Sequence, residues 1–202
     1  NNIIFNKNPI SPSKVVCIGR NYVEHIKELN NEMPEQAVIF VKPNSAIGSE
    51  IFSGCDEPVH YESEISFIIE GGKICGVGFG LDLTKRELQS RLKSKGLPWE
   101  RAKAFDNSAV FSEFASFSGA LETLSLQLHI NGQLIQQARV DLMIYKPLQL
   151  LDEVSSFMSF VDGDIVMTGT PKGVGELVKG DCFVGRIFAG KQLLIEQKWI
   201  VN

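Results

Sequence analysis

The chain has 202 residues, 44% of them hydrophobic, and 20 basic against 24 acidic residues give it a formal net charge of −4. That length leaves room for one domain over residues 1–202 or two small ones, and one is expected. Without a concentrated basic stretch nucleic acid is not an expected partner, and no apolar run approaches the roughly 18 residues of a transmembrane span. The polar start Asn1-Asn2 lacks the apolar core of a signal peptide. Cys17, Cys55, Cys75 and Cys182 form no C-x-x-C pair, which argues against a zinc knuckle or a redox motif. A soluble protein in a reducing, cytoplasmic setting is the expectation.

In chain order, the first apolar segment, Lys14–Gly19, is short, β-branched and closed by glycine, and reads as a buried strand. A helix over residues 22–29 follows, with Asn21 as its cap and Asn30-Asn31 and Pro34 at its end. Residues 37–43 read as a strand stopped by Pro43. A strand beginning near Tyr61 then runs to the turn residues Gly71-Gly72, and the alternating glycines of residues 76–82 suit a close-packed strand ending at Asp82. Thr84 can cap a helix over residues 85–95 that Gly96-Leu97-Pro98 ends. Asn131-Gly132 between two apolar runs is the strongest hairpin signal. Residues 145–160 place Leu148, Leu151, Val154 and Met158 at helical spacing, Asp162-Gly163 turns the chain, residues 164–168 form a strand, and Gly180-Asp181 opens a last strand pair. Many strands with a few short, irregularly placed helices predict an α+β fold dominated by bent sheets.

Glu62 and Glu64 alternate along their strand and share a face with Ser66, while Ile65, Phe67 and Ile69 point to the other. A polar strand face meeting water is one reading. The other adds Asp82: adjacent carboxylates repel unless a cation neutralises them, and three convergent oxygen ligands suit a hard divalent ion such as magnesium or manganese. His25 and Glu28 stand at i,i+3, which permits either a plain surface pair or a dyad in which Glu28 orients the imidazole for proton transfer. Lys103 is open between a solvated lysine and a partly buried one. The segment 169–175 lacks the G-K-[ST] ending of a phosphate loop, residues 76–80 do not open onto a helix, and no G-x-S-x-G elbow is present.

The ordered set Cys17-Ile18-Gly19-Arg20-Asn21-Tyr22 with His25 and Glu28, Phe40-Val41-Lys42-Pro43, His60-Tyr61-Glu62-Ser63-Glu64 and Leu81-Asp82-Leu83-Thr84 with Arg86 and Gln89 continues through Lys95-Gly96-Leu97-Pro98-Trp99, Lys103-Ala104-Phe105-Asp106, Asn131-Gly132 and the segment 169–175. On these residues the chain resembles the fumarylacetoacetate hydrolase family. The likeness is greatest to its small acylpyruvase, oxaloacetate decarboxylase and oxaloacetate tautomerase branch, and covers nearly the whole length. The connection between Ile69 and Gly76 is shorter than in many relatives, and residues 110–120 match the pattern least.

The resemblance implies a mixed β-sandwich roll and a homodimer. It implies metal binding by Glu62, Glu64 and Asp82, with Mg2+ or Mn2+ as the ion and Ca2+ as a substitute. His25 and Glu28 would activate water from a mobile helix and Lys103 would contact substrate, with Gln89 and Thr170 as further contacts and Arg20 and Arg86 on the substrate carboxylate. The activity implied is cleavage of a C–C bond in a small 2-oxo acid through a metal-stabilised enolate, either acylpyruvate hydrolysis or oxaloacetate decarboxylation. Keto–enol tautomerisation of oxaloacetate uses the same site without cleavage, 2-oxo-4-enoate hydration is a third reaction, and a metal-dependent 2-oxo acid binding protein is the non-enzyme alternative.

Overall fold

The structure, a computed structural model, describes residues 1–30, 32–54 and 57–202. Asn31, expected at the end of the first helix, and Cys55 lie outside the described residues. The first half contains strands β1 (Ile3–Phe5), β2 (Asn8–Ile10), β3 (Lys14–Gly19), helix α1 (Val23–Glu28), β4 (Val38–Pro43), β5 (Ile47–Gly48), β6 (His60–Tyr61), β7 (Ser63–Glu70), β8 (Lys73–Asp82), α2 (Arg86–Ser94) and α3 (Glu100–Lys103). The second half adds β9 (Ala109–Phe111), β10 (Ala115–Ser116), β11 (Leu124–Ile130), β12 (Gln133–Arg139), α4 (Pro147–Ser155), β13 (Ile165–Met167), β14 (Gly175–Glu176), β15 (Cys182–Ala189) and β16 (Gln192–Ile200). The expected mostly-β architecture is what forms.

An eight-stranded mixed sheet has the order β4-β3-β13-β7-β8-β9-β5, with β10 beside β8, and an antiparallel sheet of four has the order β12-β11-β15-β16. Ile65 and Phe67 of β7 and Val77, Phe79 and Leu81 of β8 bury against Leu126, Leu128, Phe183 and Ile187 of the smaller sheet. A second cluster joins Val15 and Cys17 to Ile68, Ile165 and Met167. In a third, α4 packs Leu150, Leu151 and Val154 on Val16, Ile18, Ile69 and Val166. Gly78 and Gly185 permit close ring packing, since a Cβ on either would stand 2.7 Å from Phe114 or 2.6 Å from Phe79.

Several local expectations are corrected. Ile69 keeps the face of Ile65 and Phe67, where it packs with Val16 and Val166, but the ladder between β7 and β8 shifts register at Ile68/Ile69 through an extra residue in β8, the signature of a bulge. Helix α4 starts at Pro147, which suits a first helical position, and turns Pro147, Leu150, Leu151 and Val154 inward; Leu148 is exposed. Asn21 and Thr84 do not cap the helices that follow them. The Asn21 amide instead donates to Thr168 O at 2.8 Å and Tyr145 O at 3.0 Å, and its oxygen accepts from Tyr145 N at 2.8 Å, tying β13 to the entry of α4. The Asn131-Gly132 hairpin forms as expected, with both residues at positive φ. Cys17, Cys75 and Cys182 are free.

Asp164, just before β13, has a fully buried side chain 2.5 Å from Lys14 Nζ, and accepts from Ser13 N, Ser13 Oγ, Lys14 N and Val161 N. Burial raises its carboxyl, but the bonds from Lys14, Val161 and Ser13 outweigh burial and hold it below its ordinary value. Asp164→Asn should therefore destabilise the fold by about 1–3 kcal/mol at neutral pH. A depressed folded pKa contributes stability that is present above the unfolded value and lost as pH falls through the folded one. Calorimetry should find a Tm difference between D164N and the parent that shrinks in acid.

Candidate active site

Antiparallel pairing of β7 with β8 assembles the three carboxylates. Ser63 pairs with Leu81 and Glu64 with Gly80, and just outside the strand Asp82 N donates to Glu62 O at 2.9 Å. Glu62 and Asp82 are thus cross-strand neighbours, and Glu64 is one pleat further along. Each offers one oxygen, and these oxygens lie within 4.8 Å of one another, all buried. Glu62 sits in the break between β6 and β7 rather than inside a strand.

Three cations answer these charges. Lys103, the last residue of α3, is 3% exposed, and its ammonium donates to Glu62 Oε2 at 2.8 Å, Asp82 Oδ2 at 2.7 Å and Thr84 Oγ1 at 2.6 Å. Its Nζ also lies 5.1 Å from the centre of the Phe40 ring. Arg86, from the first turn of α2, bonds Glu62 Oε1 through Nη2 and Gln89 Oε1 through Nη1 at 2.9 Å. Lys42 has no exposed surface: it donates to Leu83 O, Lys103 O and Ser108 O, and stands 2.8 Å from Asp82 Oδ1. An ammonium has three hydrogens, all committed here to carbonyls, so Asp82 Oδ1 lies beside a cation and yet accepts no hydrogen bond from the described residues.

The carboxylates diverge in proton affinity. Burial first, then the charges of Asp82 and Glu62, push the Glu64 carboxyl well above the usual range, against the Gly169 N–H at 2.6 Å and the Lys103 ammonium. For Glu62 burial is again the largest influence and acts upward, but Lys103, Arg86 and His25 together outweigh it and hold the group well below that range. Burial disfavours the Lys103 ammonium, and Asp82 and Glu62 more than restore it.

His25 and Glu28 form the dyad, with Nδ1 3.1 Å from Glu28 Oε2, and His25 is buried where the surface-pair reading had it exposed. Gly173 N donates to Glu28 Oε1 at 2.9 Å, so the glycine segment after β13 latches α1. Gly173 has φ +98, and a Cβ there would lie 2.5 Å from Ile135 O, which restricts the position to glycine. Arg20, Gln89 and Thr170 line the same cleft as His25, Glu64 and Lys103. The sequence reading assigned no role to Lys42 or Gln136. The buried Gln136 amide accepts from Ser63 N at 3.0 Å, between the two glutamates, and donates to Thr170 Oγ1 at 3.0 Å and Pro171 O at 2.9 Å. Lys42 belongs to the Phe40-Val41-Lys42-Pro43 segment that carries part of the resemblance; nothing in the local sequence marks Gln136, whose partners Thr170 and Ser63 are 34 and 73 residues away.

The donor set fits a hard divalent cation: all ligands are carboxylate oxygens, they converge, and Asp82 Oδ1 is a buried oxygen without a hydrogen bond. The family model for the fumarylacetoacetate (FAA) hydrolase C-terminal domain matches residues 14–196, and the chain belongs to this family. An oxaloacetate tautomerase of Escherichia coli is 40% identical, over 84% of this chain and 85% of that protein. A mitochondrial oxaloacetate tautomerase of Saccharomyces cerevisiae is 36% identical, over 83% of this chain and 84% of that protein. Among solved structures, a fumarylpyruvate hydrolase of Pseudomonas aeruginosa in complex with Mn2+ and pyruvate superposes with a TM-score of 0.88 at 27% identity, covering 100% of this chain and 96% of the other. Each of these relatives is named for an activity on oxaloacetate or fumarylpyruvate.

Isothermal titration of magnesium checks the carboxylate cluster directly. Glu64→Ala should weaken binding at least about 100-fold, on the scale that ligand-sphere losses reach. Ser66→Ala, which removes a buried hydroxyl without a partner on the same strand, should change it less than about two-fold.

Proposed function

We propose that the protein interconverts the keto and enol forms of oxaloacetate or a closely similar 2-oxo dicarboxylic acid. The observation that carries this reading is the convergence of the Glu62–Glu64–Asp82 cluster, the His25–Glu28 dyad and Lys103 on one cleft, in a chain whose relatives include oxaloacetate tautomerases. A divalent cation held by the three carboxylates, magnesium or manganese, would supply Lewis-acid stabilisation of the negative charge that develops on the 2-oxo oxygen.

The remaining work falls to this chain's side chains. The carboxylate of Glu28 only accepts hydrogen bonds, so His25 Nδ1 carries the proton between them and Nε2 is left as the base. Nε2 takes a proton from C3, the C–H electron pair becomes the C2–C3 double bond, and the carbonyl pair moves onto the 2-oxo oxygen. Proton return to that oxygen completes the enol, and return to C3 regenerates the keto acid. Lys103 keeps a positive charge against Glu62 and Asp82, beside the developing oxyanion. Arg20, Arg86 and Gln89 orient the substrate carboxylate, and Thr170 closes the wall that Gln136 holds.

A second reading, hydrolysis of an acylpyruvate, is favoured by the same dyad, which could take its proton from water instead of C3. The resemblance implied cleavage first; the names of the curated relatives reverse that order. Enol absorbance and pyruvate release, followed together with magnesium present, separate the two. The proposal predicts rapid ketonisation without pyruvate, and a rate that falls about 10²–10⁴-fold in His25→Gln, the usual worth of a placed general base. Pyruvate appearing in step with oxaloacetate loss would overturn it.

A further inference from the structure

Gln136 lies on β12, in the four-stranded sheet, yet its side chain reaches the strand that carries the carboxylates. It is 1% exposed, and its neighbours fix which amide atom is which. A backbone N–H only donates, so the atom 3.0 Å from Ser63 N is the amide oxygen; a carbonyl only accepts, so the atom 2.9 Å from Pro171 O is the amide nitrogen. That nitrogen also stands 3.0 Å from Thr170 Oγ1. Its two hydrogens are thereby divided between the Thr170 hydroxyl and Pro171 O.

The consequence falls on Thr170. An amide nitrogen accepts no hydrogen bond, so the Thr170 oxygen accepts from Gln136 and its own hydrogen must point elsewhere. Among the described residues the acceptor within reach is Pro171 O at 3.5 Å, a long contact to a carbonyl that Gln136 already occupies at 2.9 Å. Thr170 is 3% exposed and lines the cleft with Glu62, Glu64 and Lys103. The residue before it, Gly169, donates its N–H to Glu64 Oε2 at 2.6 Å, and its φ of +99 is a conformation that glycine adopts without strain. Thr170 is thus anchored to Glu64 through its chain neighbour and to Ser63 through Gln136.

Resting on the 2-oxo acid reading above, we infer that Gln136 is a positioning residue: it fixes the Thr170 hydroxyl as a donor into the cleft, for a carboxylate oxygen of the bound 2-oxo acid. Gln136 touches no substrate and acts through Thr170. Without its amide, Pro171 O loses a donor and draws the Thr170 hydrogen to itself, which leaves oxygen lone pairs facing the anion. A hydroxyl free to turn either way discriminates little, whereas one fixed as a donor favours an acceptor and disfavours a second donor at that point.

Oxalate tests this without turnover, because its two carboxylates present the oxygens of the chelating end of a 2-oxo acid. Titration calorimetry reads its affinity in saturating magnesium, the saturating level being set for each variant by its own magnesium titration. Thr170→Val should lower that affinity about ten-fold, the scale of one hydrogen bond to a charged group, and Gln136→Met should lower it by a similar factor. In the T170V background Gln136→Met should add less than about two-fold, because the hydroxyl through which it acts is gone. Thr170→Ser should stay within about three-fold of the parent and remain fully sensitive to Gln136→Met. A purely structural role would lower oxalate affinity by the same factor in both backgrounds. That result, or a Q136M protein that binds oxalate as the parent does, overturns the role. Gln136→Leu carries the same cycle if Q136M does not melt cooperatively. A parent protein that binds oxalate no better with magnesium than without it overturns the 2-oxo acid reading itself, whereas magnesium-dependent binding with additive effects overturns the Gln136 role alone.

Discussion

Three carboxylates buried within 4.8 Å of one another are the constraint on which the rest of this structure depends. An isolated ionised carboxylate in a low-dielectric interior costs several kcal/mol even after relaxation, and like charges at this distance add to that cost. The chain meets it with cations drawn from separate elements: Lys42 from β4, Arg86 from α2 and Lys103 from α3. These elements must pack where they do for the cluster to survive burial. The backbone carbonyls of Leu83, Lys103 and Ser108 in turn hold the Lys42 ammonium. The lysine that neutralises Asp82 also fixes the loops around it.

Register decides whether the cluster exists at all. The Gly71-Gly72 turn pairs Glu70 with Lys73 and Ile69 with Ile74, and continued without interruption this pairing would set Glu62 against Leu81. Instead Ile68 pairs with Gly76, so Cys75 is an extra residue in β8 and every later pair moves by one. Asp82 thereby comes opposite Glu62 and on its face of the sheet; a one-residue slip would turn it to the other face. The turn was legible from its glycines and the strands from their β-branched and alternating residues. The bulge was not, because a bulge is settled by packing on both faces. For this reason the sequence could offer Asp82 only as a third carboxylate that the fold would have to bring across.

The same division runs through the other residues. Lys14–Gly19 has the bounds that local chemistry indicates, and the Asn131-Gly132 turn falls where expected, although its strands, Leu124–Ile130 and Gln133–Arg139, run longer than the apolar runs that flag them. Capping is the commonest local use of side chains such as Asn21 and Thr84, but Asn21 bonds residues near 145 and 168, and the Thr84 hydroxyl donates to Asp82 O and accepts from the Lys103 ammonium. Leu148 fits a helical period as well as Leu150 does until Pro147 fixes the phase of α4. Lys103 is buried because Glu62 and Asp82 receive its charge, and His25 because Glu28 stands within hydrogen-bond reach of its Nδ1. Of the candidate residues, the three carboxylates and the dyad are marked by motif order, whereas Lys42 and Gln136 emerge only once the segments are brought together.

A carboxylate cluster lies at the floor of the cleft with His25, held by Glu28, in its wall, an arrangement suited to proton transfer at a 2-oxo acid. Its most direct test is the rate at which enol-oxaloacetate becomes the keto acid, measured on the protein stripped by chelator and again after magnesium or manganese is returned. The account predicts that the catalysed rate disappears in chelator and comes back with either ion. Full activity in the stripped protein would contradict it.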